Sequence, residues 1–217
     1  MNTAYLTKSP SKSLTGLRIF TVLSFLASGF LGTVCHFAYD YFGKNVMLAP
    51  FVPVNESTWE HLKLLFFPVL ICLIMGIFLG FCQSPSTHPS DRSRHSFAAC
   101  YLDGAAFGLI GGMLSIVVLF YTINGFLGFN IDWINIAIFY ISTAYAYYTF
   151  YRYASKPYYN TFSYNEKNAA TPLWVPITVI TVTAVLFAVF TFYTPKIGLF
   201  RDPQTGSYGL TNGLLHM

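Results

Sequence analysis

Charge is what this sequence has least of: 20 of its 217 residues are Asp, Glu, Lys or Arg, 9% against 54% apolar and 19% aromatic. A water-soluble domain carries about 25%. So few charges cannot coat a globule of this size, which excludes a soluble domain. The apolar excess excludes a disordered chain. Twelve scattered basic residues exclude a nucleic-acid-binding surface, which needs clustered Lys and Arg on phosphate. Also missing are any C-x-x-C pair, any internal repeat and any polar stretch long enough for a second domain. The four cysteines, Cys35, Cys72, Cys82 and Cys100, sit in or beside apolar runs and read as reduced, buried thiols.

What is present is long apolar sequence. A helix crossing about 30 Å of hydrocarbon at 1.5 Å per residue needs about 20 residues. Five runs free of Asp, Glu, Lys and Arg meet that length: Ile19–Tyr39, Leu64–Ser90, Gly104–Ile131, Trp133–Tyr151 and Asn168–Pro195. Trimming the loops from the longer runs and fitting the ends gives spans at about 19–39, 62–83, 97–122, 133–153 and 173–194, with 195–217 as an extracytoplasmic tail. The apolar runs are continuous rather than alternating, which favours helices over barrel strands. The expectation is therefore an all-α polytopic bundle forming one integral membrane domain over 1–217. Short connections should place each helix beside its neighbour in sequence.

Basic residues set the orientation. With the N-terminus inside, Lys8, Lys12, Arg18, Arg92, Arg94, Arg152, Lys156 and Lys167 are cytoplasmic and Lys44, Lys63, Lys196 and Arg201 are not. That eight-to-four bias favours N-inside and C-outside. Pro68 falls inside the second span, where it cannot donate to the carbonyl of Leu64, so a kink is expected. Gly104, Gly108 and Gly112 form a doubled small-xxx-small stripe that lets backbones approach closely and reads as packing. His88, His95 and His216 lie in polar connections or the tail and read as solvated. The tyrosines at the inner end of the fourth span, Tyr145 to Tyr153, read as an interfacial belt. The segments Ser84–Ser96 and Lys156–Thr171 read as cytoplasmic loops.

Polar residues concentrate at one level. The first span ends in His36 and Asp40, four apart and so on one face. About a dozen residues later comes Asn55-Glu56-Ser57-Thr58-Trp59-Glu60-His61-Leu62-Lys63, and Asn130 and Asp132 start the fourth span at the same level. Three readings compete. In the first, Asn55 or Ser57 caps a helix, Ser57-x-x-Glu60 is a capping box, Glu56 and Glu60 suit the positive helix end, Lys63 pairs with Glu60 and Trp59 sits at the interface. In the second, imidazoles and carboxylates bind one divalent ion, Zn, Fe or Mn. His36, Glu56 and His61 would be ligands, Glu60 a general base on bound water, and Lys63 a stabiliser of developing negative charge. The spacing matches neither H-E-x-x-H nor its inversion, because Ser57 stands where the inverted motif needs His. The third is a proton or ion relay that includes Asp103, two turns into the third span; alternatively Asp103 bonds a Tyr or Thr hydroxyl on a neighbouring helix. The tail after Phe200-Arg201-Asp202-Pro203 lies on the same side and could fold over the cluster as a lid.

The string Pro53-Val54-Asn55-Glu56-Ser57-Thr58-Trp59-Glu60-His61-Leu62-Lys63-Leu64-Leu65-Phe66-Phe67-Pro68 resembles the signature of the domain of unknown function 6512 family, small prokaryotic membrane proteins. Gly32 to Phe37 with Tyr39-Asp40, Phe120-Tyr121-Thr122 with Gly125 and Gly128, and Phe200 to Pro203 with Tyr208-Gly209 are similar to that family too. The resemblance spans Gly16 to Leu210 and implies a polytopic inner-membrane protein, with no activity to carry over. Where the family carries Pro-Pro-His before its closing stretch, this chain reads Thr194-Pro195-Lys196, so any ligand role of that His is absent here. The function expected is a metal-assisted membrane hydrolase acting on a small-molecule or lipid substrate. The alternative is a non-enzymatic membrane protein, a small transporter component or assembly partner, whose motif is a cap and packing network. The bilayer is the expected partner in both.

Overall fold

The computed structural model describes residues 14–83, 91–159 and 171–210, with backbone alone for 91–95. The side chains of Lys8, Lys12, Arg92, Arg94 and Lys167, and of His88, His95 and His216, lie outside the described residues. The described chain is helical: α1 Leu14–Tyr41, α2 Thr58–Phe78, α3 Asp91–Leu127, α4 Asp132–Ala154, the single turn α5 Lys156–Tyr159, α6 Trp174–Phe192, and a 3-10 turn at Gly198–Phe200. Four of these helices, α1, α2, α3 and α6, are long and apolar enough to cross a membrane. The helix α4 is long enough but is not among them, because its six tyrosines lower its mean hydropathy.

The helix ends depart from the sequence expectation for local reasons. Ser57, in extended conformation, starts α2 earlier by accepting from the Glu60 amide. The same helix stops at Phe78 rather than near Gln83, because Gly80 takes φ +77°. Phe81 N then bonds Gly76 O and Gly80 N bonds Ile77 O, a Schellman ending that needs the left-handed glycine. The helix α3 overruns its expected 97–122 at both ends: Asp91–Ser96, read as loop, is helical. Of the other expected loop, Lys156–Tyr159 is helical. The helix α6 is rich in Val, Ile and Thr, residues that favour strands in water. In hydrocarbon the backbone must satisfy itself, and the helix wins.

Packing follows the small residues. The most extensive contact is α3 on α4, along the Gly104, Gly108 and Gly112 stripe. A Cβ at Gly108 would stand 2.6 Å from the Ala146 carbonyl oxygen, and one at Gly104 would stand 2.8 Å from that of Phe150. At the α1–α2 contact a Cβ on Gly32 would stand 2.8 Å from Leu64 O, the carbonyl that Pro68 deprives of its helical donor. The helix α1 packs on α2 and α4, whereas α6 packs on α3 and α2 rather than on its predecessor α4. The connection from Ser155 to Leu173 is long enough to carry the chain across the bundle.

A candidate metal site at one end of the bundle

The segment after α1 turns sharply, with Gly43 and Lys44 both at positive φ, and returns along the bundle end to Ser57. That return brings Glu56 and the first turn of α2 against His36 in the last turns of α1. The rings of His36 and His61 lie 5.3 Å apart, centroid to centroid. His61 Nε2 is 3.3 Å from Glu56 Oε2. One nitrogen from each imidazole and one Glu56 oxygen all fall within 4.8 Å of one another. The other ring nitrogen of His61, Nδ1, donates to Ser57 O at 3.0 Å, which fixes the ring and leaves Nε2 turned to Glu56. The bond between His61 Nε2 and the Glu56 carboxylate holds that carboxyl below the ordinary carboxylate range, against an opposing effect of burial.

The three residues fit a divalent ion on two counts. Two ligands about 2.0–2.1 Å from a tetrahedral ion stand about 3.3 Å apart, the separation seen between His61 and Glu56. His36 Nδ1 is buried without a hydrogen-bond partner, a nitrogen that a ligand would satisfy.

Glu60 and Lys63, expected as base and charge stabiliser, bond to each other. Glu60 is 2% exposed and Lys63 0%. Lys63 Nζ donates to Glu60 Oε2 at 2.6 Å, to Thr191 Oγ1 of α6 at 2.7 Å and to Ala49 O at 2.8 Å. Glu60 Oε2 also accepts from Val54 N at 3.0 Å. The ammonium thus ties the 49–54 loop, α2 and α6 together. The capping box is half made: Ser57 Oγ accepts from Glu60 N at 3.4 Å, but the Glu60 carboxylate turns to Lys63, and Asn55 Oδ1 takes the Ser57 amide at 2.9 Å. Trp59 packs among Phe187, Phe190 and Phe200, so it holds α6 and the 3-10 turn to α2. Asp40 is exposed, with Lys44 3.9 Å away, and is not brought into the three-residue cluster. Asp103, the proposed relay member, accepts from Thr171 Oγ1 at 2.8 Å, the neighbouring-hydroxyl alternative.

A cavity of about 290 Å³ opens beside the cluster. Glu56, Thr58 and His61 form one wall. Asn130 just before α4, Asp132 and Asn135 in its first turn, and the apolar Ile116, Phe120, Ile138 and Phe139 line the rest. Pro203 and Gln204 of the tail close one side. The tail forms its own turn at Asp202 and is tied back to the segment before α2 by Asn55. Asp202 is buried and accepts from Gln204 N and Thr205 Oγ1, both at 2.8 Å. Asn55 Nδ2 donates to Gly209 O at 2.9 Å. Sequence reasoning missed Asn135, Gln204 and the Asn55 bond to Gly209 O; these are ordinary polar groups whose meaning comes only from where the chain returns.

The model of the family of unknown function DUF6512 matches residues 11–210, most of the chain. No curated protein and no solved structure matches it. The chain belongs to the DUF6512 family.

Proposed function

We propose that this DUF6512 member is a prokaryotic multi-pass protein of the cytoplasmic membrane that binds one divalent ion, Zn, Fe or Mn, at the outer end of its bundle and uses it in hydrolysis. In this reading α4 also crosses the membrane, which makes five spans, the N-terminus is inside and the C-terminus outside. Its tyrosines then serve the membrane interface and the packing against α3. The observation that carries the metal reading is the convergence of His36, Glu56 and His61 on one point beside a cavity, with the His61 ring already locked by Ser57.

Three protein ligands with one side open to a cavity are the pattern of a catalytic rather than a structural metal site. A bound ion would polarise a substrate oxygen and lower the pKa of a coordinated water. Asp132, the second carboxylate lining the cavity, would accept a proton there. Glu60 and Lys63 act in support, by fixing the loop that delivers Glu56.

A non-enzymatic reading has its own observation. Ser57 capping and the Lys63 clamp account for three motif residues without any ligand. Elemental analysis of detergent-purified protein, supplied in turn with Zn, Mn and Fe(II), separates the two. One ion per chain, lost in His36→Ala and in His61→Ala but kept in Asp40→Ala, supports the metal site. Protein that stays metal-free with all three ions, or metal content unchanged in both histidine variants, overturns it in favour of the cap and packing network.

A further inference from the structure

The opposite end of the bundle carries a second feature, independent of the metal cluster. The helices α1 and α4 run antiparallel, with Gly29 against Tyr140 at one level and Arg18 against Tyr151 at another. Near Arg18 they part into an open groove of about 560 Å³. Its mouth is polar. Arg18 Nε donates to Tyr151 Oη at 2.8 Å, and a terminal guanidinium nitrogen donates to Tyr159 Oη at 3.3 Å. These two bonds fix the plane of the guanidinium, and Tyr159 reaches it from α5. Arg152 lies at the same level and bonds Tyr148 Oη at 3.0 Å. Further from the mouth the groove turns apolar, lined by Val22, Phe25 and Ala144. Phe25 is seven residues beyond Arg18, about 10 Å deeper along the helix.

We propose that this groove binds one anionic phospholipid, its phosphate on the Arg18 guanidinium and the start of an acyl chain along Val22 and Phe25. The polarity gradient carries the assignment. A planar guanidinium held by two phenols offers fixed N–H donors to a phosphate oxygen. A free phosphate would use the mouth alone and leave the apolar part of the groove unfilled. A lipid fills both, and a basic residue between helices at headgroup depth is where anionic lipids are recognised. The proposal rests on the membrane placement of the bundle but not on the metal site.

The test uses the full-length protein in neutral detergent. Retained lipid is measured by native mass spectrometry, and melting temperature is followed with added phosphatidylglycerol, phosphatidylcholine or inorganic phosphate. Phosphatidylglycerol is expected to be retained and to raise the melting temperature above the other two additions. Arg18→Gln is expected to weaken that retention about fivefold or more. Arg18→Lys, which keeps the charge and loses the planar fork, falls between and serves if Arg18→Gln does not fold. Metal content should be the same in every Arg18 variant. Phosphatidylcholine retained as strongly as phosphatidylglycerol, inorganic phosphate raising the melting temperature equally, or unchanged retention in the Arg18 variants would each overturn the assignment.

Discussion

At the scale of single residues, one end of the bundle sorts one motif into two jobs. Glu56 and His61 face a cavity, while Glu60 and Lys63 are sealed in a clamp with no room for substrate. Sequence spacing predicts that Glu60 and Lys63 can pair, and they do. It cannot show that Ala49 and Thr191 complete the ammonium's partners, because those residues lie 14 and 128 positions away. Removing one member of a buried pair strands the other, at a cost of about 3–5 kcal/mol. Lys63→Met should therefore lower stability by about that amount in a thermal or denaturant melt. Adding Glu60→Gln, which removes the stranded charge, should recover part of the loss. A Lys63→Met protein as stable as the parent would show that the clamp is idle.

At the scale of helices, most of the architecture is readable in advance, because a bilayer leaves the backbone few choices. The positions of the apolar helices and the glycine stripe follow from the sequence. The ends do not, since Gly80 and Ser57 decide them locally, and the placement of α6 on α3 does not, since a long connection permits several neighbours. Two expectations follow. Gly108→Ala pushes a methyl against the Ala146 carbonyl and should destabilise by about 1–3 kcal/mol, whereas Gly125→Ala, where a Cβ meets nothing, should cost far less. If α4 crosses the bilayer, single cysteines replacing Phe129 and Lys156, in a background without the native cysteines, should react with impermeant reagent from opposite sides. Phe129→Cys should react from outside. Labelling of both from one side would leave the protein with an even number of spans.

At the scale of the whole molecule, the site is assembled from pieces far apart in sequence: the last turns of α1, the 54–61 stretch that enters α2, the start of α4 and the tail near Pro203. The sequence marks the first three by their acids, amides and imidazoles at one depth. It marks the tail by side alone; the Asn55 bond to Gly209 O is a tertiary event. An ion held by α1 and α2 together binds the folded bundle and not the unfolded chain. A saturating ion, at about 100 times its dissociation constant, should then add about 2.7 kcal/mol to stability. The melting temperature should rise with the ion in the parent and stay flat in His61→Ala.

In the proposed site two imidazoles and one carboxylate share an ion. X-ray absorption at the metal edge of the loaded, purified protein tests it most directly. Two imidazole nitrogens and a carboxylate oxygen are expected in a first shell at about 2.0–2.2 Å. A first shell of water and carboxylate oxygens without imidazole would contradict it.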